Sequence, residues 1–106
     1  MSNLYSPMYA GTLVEFDVEK HPMFTGDFVT ALKTLTVTVT PKTGAPTPVV
    51  FTTSTWSSAT ADGGTALYTA TGAEGLSVGK VTIAAKLTIA GTDYYYRTVH
   101  SSVEPL

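Results

Sequence analysis

The sequence predicts an all-β protein, an antiparallel sandwich or barrel of about seven strands, and three observations lead to that class. Apolar and polar residues alternate strictly in several stretches, most clearly from Val81 to Ile89. Threonine fills most polar positions of these stretches, and β-branched side chains suit a pleated strand. Clusters of glycine and proline separate the stretches at the spacing of small β domains. Of the two architectures we expect the two-sheet sandwich.

Composition limits the other possibilities. A chain of 106 residues fits one domain, which at this length buries roughly 65% of its unfolded surface. Charged residues make up 13% of the chain and the net charge is -2, so the basic surface of a nucleic-acid-binding protein is missing. Cysteine is absent, which excludes disulfides and thiolate chemistry. Because 43% of the residues are hydrophobic and few are charged, we expect an apolar surface, which suits a protein with permanent protein partners.

The first ten residues show no period, so we predict an extended N-terminal arm over residues 1–10 and one sandwich domain over residues 11–106. The arm is expected to contact neighbouring subunits through Leu4, Tyr5, Met8 and Tyr9. It has neither the basic nor the apolar segment of a secretion signal, and no stretch of the sequence is long enough for a membrane span. We therefore expect a chain that is made in the cytoplasm and kept soluble in its producing cell.

The first strand is predicted from Leu13 to Glu19, with its acidic residues on a solvated face. His21 to Asp27 is a connection punctuated by proline and glycine. The next strand runs over Leu32 to Thr40, and because Leu32 and Leu35 are out of phase, a bulge or break is expected near Lys33.

Two further strands are predicted before the last hairpin. Pro48 to Thr55 forms one strand and Ala66 to Ala70 another, while Ser57 to Ala61 is weakly patterned. Asp62-Gly63-Gly64 is expected to be a turn. The predicted core combines the inward residues of the four longest strands. These are Phe16, Leu35, Val37, Val39, Phe51, Val81, Ile83, Leu87 and Ile89.

The hairpin from Val81 to Val103 turns at Ala90-Gly91-Thr92-Asp93. If Ile89 pairs with Tyr94, Lys86 faces Arg97, and Val99 falls on the face opposite the inward tyrosines. Two explanations stay open. Either a bulge near Arg97 restores the phase, or both faces of the strand are covered, with Tyr94, Tyr95 and Arg97 contacting a partner.

From Gly26 to Val103 the order of elements resembles the immunoglobulin-like modules of bacterial surface proteins and tailed-bacteriophage virions. The resemblance is carried by Leu35-Thr-Val-Thr-Val-Thr-Pro-Lys-Thr-Gly-Ala-Pro46, by Val49-Val-Phe51, by Gly79-Lys-Val-Thr-Ile83 and by Leu87-Thr-Ile-Ala-Gly-Thr-Asp-Tyr94. Immunoglobulin domains carry Gly-x-Tyr-x-Cys on the penultimate strand. Here Val81 and Ile83 take the places of the tyrosine and the cysteine.

A short, cysteine-free chain dedicated to one such module looks like a phage structural gene. The resemblance implies a non-enzymatic role in the virion: capsid decoration, head-tail connection, or a tail accessory, bound to capsid, connector or tail subunits. We expect the chain to form a homo-oligomer or to be bound as copies on a lattice. The alternative is a small bacterial adhesion or carbohydrate-binding module, for which Trp56 with Tyr68 is the candidate aromatic platform. No nucleic acid, membrane or cofactor is expected as a partner.

We expect no enzymatic activity and assign no catalytic or metal-binding residues. His21 and His100 are the only histidines, and the aspartates lie at turn positions, where capping explains them. Gly75-Leu76-Ser77-Val78-Gly79 has the letters of a nucleophile elbow, but it lacks the strand-to-helix context that exposes the serine.

Overall fold

The computed structural model describes residues 4–6, 8–44 and 47–105, with only the backbone for residues 4–6. Nine strands follow one another in this part of the chain, and no helix occurs in it. They are β1 (Leu4–Ser6), β2 (Leu13–Glu19), β3 (Lys33–Pro41), β4 (Val49–Thr53), β5 (Thr55–Thr60), β6 (Gly63–Thr69), β7 (Gly79–Ile89), β8 (Thr92–Tyr95) and β9 (Val99–Pro105). The described residues thus contain no helix that could cross a membrane.

The strands form two sheets. The larger sheet has the order β1-β9-β7-β3-β4, with β8 also paired to β7, and the smaller has the order β2-β6-β5. Every pair is antiparallel except β1 with β9. The all-β class and the antiparallel sheets are confirmed, while the strand number differs from the expected seven.

The core lies between the sheets and contains all nine residues predicted for it. Period-two alternation explains this agreement, since successive side chains of a strand point to opposite faces. Phe51 of the larger sheet meets Phe16 and Tyr68 of the smaller one, with ring centroids 6.4 and 5.0 Å apart. These aromatic contacts join the two sheets at the centre of the molecule.

The predicted strand Pro48 to Thr55 contains β4 and only the first residue of β5, and most of the weakly patterned stretch Ser57 to Ala61 belongs to β5, which corrects the sequence-based assignment. Ser54 separates β4 from β5, which belong to different sheets, so the chain crosses the sandwich at this residue. The turn predicted at residues 62–64 also ends earlier, because Gly63 and Gly64 are the first residues of β6. A Cβ at Gly63 would collide with the carbonyl oxygen of Val18 on β2, so the close approach of these strands requires glycine there.

Parts of the predicted N-terminal arm pack against the sandwich, namely the backbone of residues 4–6 and the side chain of Met8. The backbone of Leu4–Ser6 pairs with β9, where Leu4 lies opposite Val103. Met8 is 6% exposed and belongs to the core. The sequence shows no period here because β1 has only three residues, and a chain along the edge of a sheet gains hydrogen bonds without needing alternation. The side chains of Leu4 and Tyr5 lie outside the described part of the structure.

The hairpin register differs from the predicted one. Ala90 and Gly91 both have positive φ, 53° and 80°, as a two-residue type I′ turn requires, so Ile89 pairs with Thr92 and Leu87 with Tyr94. Lys86 therefore lies opposite Tyr95 instead of Arg97. The predicted like-charge pair does not form.

Beyond the turn, the hairpin contains the bulge that was one of the two explanations. Leu87 pairs with Tyr94 and Ile83 with Val99, so the returning chain has one more residue than β7 between these pairs. The extra residue falls in the break after Tyr96, next to Arg97. It restores the phase, and Val103 consequently reaches the core.

Candidate interaction surface

The outer face of the larger sheet has a shallow depression beside Tyr95, and we call its lining the Tyr95 face. The lining residues are Thr36, Thr38, Ala84, Ala85, Lys86 and Tyr95, around a volume of about 180 Å³. Thr36, Lys86 and Tyr95 lie side by side on β3, β7 and β8. Ala84 is small, so its position between larger neighbours leaves the depression. The Tyr95 side chain is 68% exposed.

The charged group on this face is partly compensated. Lys86 Nζ lies 4.0 Å from Asp93 Oδ2, and both side chains are about a third exposed, at 35% and 39%. Asp93 Oδ1 accepts a hydrogen bond of 2.8 Å from the Thr88 hydroxyl, which orients the carboxylate. An ion pair this exposed contributes little to stability. The Tyr95 face therefore presents an aromatic ring and threonines beside an ion pair whose two charges cancel.

Tyr94 and Tyr96, on either side of Tyr95, point to the other face. Tyr94 packs edge-on against Phe24, with ring centroids 5.8 Å apart. The Tyr96 hydroxyl donates a 2.6 Å hydrogen bond to the carbonyl oxygen of Glu19 on β2. Burial and then the Glu19 charge raise the pKa of Tyr96 to about 12. Tyr94 was predicted as an interface residue, but its ring is half-buried against the chain's own side chains.

His21 fixes the backbone at Tyr95. Its Nδ1 accepts a hydrogen bond from the Met23 N–H at 3.1 Å, so the proton is on Nε2, which donates to the Tyr95 carbonyl oxygen at 2.8 Å. The imidazole ring also packs against Tyr94 and Tyr96, at centroid distances of 5.5 and 5.2 Å. Both ring nitrogens thus bond backbone groups, and one of these bonds holds the carbonyl of Tyr95 at the end of β8.

The other predicted interface residues are dispersed. Arg97 is exposed at the bulge that follows the Tyr95 face. Tyr9 is 58% exposed, but it lies just before β2, a strand of the smaller sheet. Its carbonyl oxygen accepts a hydrogen bond from the Thr12 N–H. Met8 is inside the core. Among the predicted residues whose side chains the structure describes, Tyr95 therefore lines the depression, and Arg97 is exposed two residues further along the chain.

The aromatic platform considered for sugar binding is turned inward. Trp56 packs edge-on against Phe28 at 6.1 Å, and its Nε1 donates to the Lys33 carbonyl oxygen at 3.1 Å. Tyr68 packs against Phe51, and its hydroxyl donates to Glu74. A sugar-binding platform needs an exposed ring face, and both rings are half-buried between the sheets.

Lys33 is the polar residue that the sequence analysis missed as a feature of the core. It is 7% exposed, and Nζ donates to the carbonyl oxygens of Phe28 at 2.7 Å and Ala31 at 3.0 Å. The ammonium also lies 4.9 Å from the Phe28 ring centroid and 5.3 Å from that of Trp56. Burial lowers the pKa of Lys33, and nearby Asp27 opposes this effect. The signal was present in the sequence, since Lys33 shares the inward phase of Leu35.

Glu74, in the loop after β6, has a carboxylate that is held by several hydrogen bonds. Glu74 accepts from the backbone N–H and the hydroxyl of Thr71, at 2.7 and 2.8 Å, from the Tyr68 hydroxyl at 3.0 Å and from the Gly72 N–H at 3.0 Å. Burial alone would raise the pKa of Glu74, but these hydrogen bonds outweigh it and lower the pKa to about 2. The carboxylate organises the loop.

The serine of the glycine-flanked segment, Ser77, and the turn residue Asp27 both lie in loops. Gly75-Leu76-Ser77-Val78-Gly79 leads from a loop straight into β7. Asp27 accepts from Val29 N–H and the Thr30 hydroxyl, and the latter is the main cause that lowers the pKa of Asp27. No three histidine, aspartate or glutamate side chains in this part of the chain are grouped as metal ligands.

Comparison of the chain with protein-family models, curated proteins and solved structures gave no match.

Proposed function

We propose that this chain is a non-enzymatic structural protein of a tailed-bacteriophage virion, a capsid decoration, head-tail connector or tail accessory protein, which binds other virion proteins through the Tyr95 face. The observation that carries the binding role is the exposed ring of Tyr95, which lies beside a depression on a strand whose end is bonded to His21. Tyrosine contributes large contact area at interfaces and loses little conformational entropy on binding. The virion setting rests on the resemblance of the sequence.

The strand order supports an immunoglobulin-like sandwich. In variable-type immunoglobulin domains the strand C′ joins the sheet of C, F and G, while B, E and D pair in the other sheet. Here β4-β3-β7-β9 follows the order C′-C-F-G, and β2-β6-β5 follows the order B-E-D. In this correspondence β7 is strand F, the strand on which Val81 and Ile83 replace the usual tyrosine and cysteine.

The alternative function is carbohydrate binding by a bacterial adhesion module. With Trp56 and Tyr68 facing the core, the candidate stacking residue beside a depression is Tyr95. A single exposed ring with threonine hydroxyls around it is a smaller platform than a paired one. We therefore favour protein partners. One experiment distinguishes the two functions.

The experiment measures binding of the purified chain to virions that lack it and to a polysaccharide array. We expect cosedimentation with virions and no retention by polysaccharides. Tyr95→Ala should abolish cosedimentation, whereas Val78→Ala, at a residue 59% exposed outside the Tyr95 face, should leave it unchanged. Retention by polysaccharides without virion binding would establish the alternative instead.

A further inference from the structure

The two sheets end in strands that pair on one side only. In the described residues the larger sheet ends at β1 and β4 and the smaller at β2 and β5, and β8 also pairs with β7 alone. An edge strand presents backbone N–H and C=O groups that another strand can bond. Natural proteins therefore protect such edges with charges, bulges, proline or short strands. An edge that lacks this protection is open to a partner strand.

Four of these five edges carry a protecting feature. β1 has only three residues, and the register of β5 shifts between Trp56 and Ser58. The carbonyl oxygen at the end of β8 accepts a hydrogen bond from His21. On β2, three exposed carboxylates repel the like charges of a second β2 strand. They belong to Glu15, Asp17 and Glu19.

β4 is the edge without such a feature. Its five residues, Val49–Thr53, include no charged residue and no proline, and they pair with β3 in unbroken register. Val50 is 56% exposed on the outer face, where Thr52 is exposed as well. Phe51, between them, is buried on the core face. β4 is thus a regular and uncharged edge.

Open space lies beside the start of this edge. A recess of about 460 Å³ is lined by Val49 and Val50 of β4 and by Thr71 and Ala73 of the loop after β6. Four hydrogen bonds to the Glu74 carboxylate hold this loop in place. The recess combines apolar side chains with threonine hydroxyls, a lining that suits both the side chains and the backbone of an added strand. The loop therefore leaves room for a strand beside β4.

The sequence of β4 is compatible with a second copy of itself. If two β4 strands pair antiparallel about a two-fold axis at Phe51, Val50 of each copy lies opposite Thr52 of the other, and Val49 lies opposite Thr53. All these side chains are uncharged and β-branched, a type that packs well on a pleated sheet. A second copy thus meets no opposing charge, and one surface supplies both halves of the contact.

We propose that two copies of this chain pair through the outer edges of their β4 strands, so that their larger sheets join into one continuous sheet. The contact is isologous and closes at the dimer. Residues opposite each other in an antiparallel pair share a face, so both Tyr95 faces lie on the same side of the joined sheet. The inference goes beyond the proposed function, because the dimer needs no virion. It also gives the dimer two binding faces for one partner surface.

The strand pair is short, and the dimer should therefore be weak. Five residues from each copy make a contact smaller than a standard protein interface. We expect a monomer–dimer equilibrium in the micromolar to millimolar range, which sedimentation velocity of the purified chain measures. A chain that stays monomeric at millimolar concentration, or that forms species larger than dimers, overturns the proposal.

Disulfide cross-linking tests the register, and the chain contains no cysteine of its own. In the proposed register the Cβ atoms of position 50 in one copy and position 52 in the other are about 4.5–5.5 Å apart, close enough for a disulfide after a small adjustment. Val50→Cys mixed with Thr52→Cys should therefore cross-link in oxidised glutathione. Either variant alone should cross-link more slowly, because identical positions lie about 7–8 Å apart.

The control for cross-linking is Val78→Cys mixed with Thr52→Cys. Val78 is 59% exposed and lies outside β4, so this mixture should cross-link as slowly as a single variant. Equal rates in all mixtures would mean that the disulfides form by random collision, and the proposed register would be wrong.

Charge substitutions test whether the β4 edge makes the contact. Val50→Lys combined with Thr52→Lys places like charges opposite each other twice, so this lysine variant should be monomeric. The corresponding glutamate variant should be monomeric too, and mixing the two should restore a one-to-one heterodimer. Leu13→Lys combined with Val78→Lys, at two exposed residues outside β4, should dimerise like the wild type. A lysine variant that dimerises alone, or a mixture that stays monomeric, contradicts the proposal.

Cosedimentation with virions keeps the two proposals apart. If the wild-type chain dimerises but binds no virion, the β4 contact stands and the proposed function is wrong. If it is monomeric but cosediments, the reverse holds. If it is monomeric and the lysine variant fails to cosediment, β4 pairs with a strand of a virion protein, and a second copy is the wrong occupant.

Discussion

Lys33 and Trp56 contact each other in two ways across the two sheets. The Trp56 indole donates a hydrogen bond of 3.1 Å to the Lys33 carbonyl oxygen, and the Lys33 ammonium lies 5.3 Å from the centroid of the Trp56 ring. The same ammonium binds the carbonyls of Phe28 and Ala31. One lysine thus ties β5 of the smaller sheet to the first residue of β3 and to the segment before it.

The first prediction concerns this lysine. Lys33→Met keeps the side-chain volume but leaves two carbonyl oxygens without their donor, so the variant should lose about 1–3 kcal/mol of unfolding free energy. Urea denaturation measures the change. Lys86→Met, at a lysine 35% exposed, is the matched control and should stay within about 0.5 kcal/mol of the wild type. A Lys33→Met protein as stable as the wild type would show that desolvation of the ammonium cancels its contacts.

The second prediction concerns acid stability. The folded pKa of Glu74 is about 2 against 4.5 for the free side chain, so its stabilisation is present above pH 4.5 and disappears as the pH falls toward 2. Glu74→Gln should therefore flatten the fall of the urea midpoint over this interval. Some slope should persist, because the pKa of Asp27 is also lowered. An unchanged pH profile in Glu74→Gln would contradict the assignment.

The third prediction separates two methionines. Met8 is 6% exposed and Met23 73%, so Met8→Ala should destabilise the protein by about 2–5 kcal/mol and Met23→Ala by less than about 0.5 kcal/mol. Thermal or urea denaturation of both variants is sufficient. Equal stability of the two would mean that the N-terminal segment does not belong to the core in solution.

The fourth prediction tests the inward phase of β7. Ile83 is fully buried, and Ile83→Ala should cost roughly 2–5 kcal/mol through lost burial and the cavity left behind. The neighbouring residue Thr82 points to the other face, and Thr82→Val is expected to change stability by less than about 1 kcal/mol. A loss below about 0.5 kcal/mol for Ile83→Ala would place the residue outside the core.

The strands with strict alternation were predictable from the sequence, because period-two patterns decide both the element and its buried face. Phe16, Leu35 and Ile83 are buried for this reason. The hairpin register was not predictable, because it depends on Ala90 adopting a positive φ, a conformation that alanine rarely takes and that no local sequence signal announced. Because the turn has two residues instead of the expected four, every residue of β8 pairs with a different residue of β7 than expected.

The interaction surface was predictable in part. Tyr95 could be identified as a candidate because tyrosine is favoured at interfaces, but its outward direction and the inward direction of Tyr94 follow from the register. The exposed apolar side chains between β2 and β3 escaped notice, because this connection has no period that would indicate which side chains are anchored. Only the contacts of Phe24 and Phe28 with the core distinguish them from exposed Leu32.

Two hydrogen bonds along one flank of the molecule also bear on unwanted aggregation. The Tyr96 hydroxyl bonds the Glu19 carbonyl at the end of β2, and His21 bonds the Tyr95 carbonyl at the end of β8. Both acceptors lie on edge strands, where a foreign strand would otherwise add by backbone pairing. Because side chains already bond these two carbonyls, pairing of an added strand with the backbone is disfavoured at this flank.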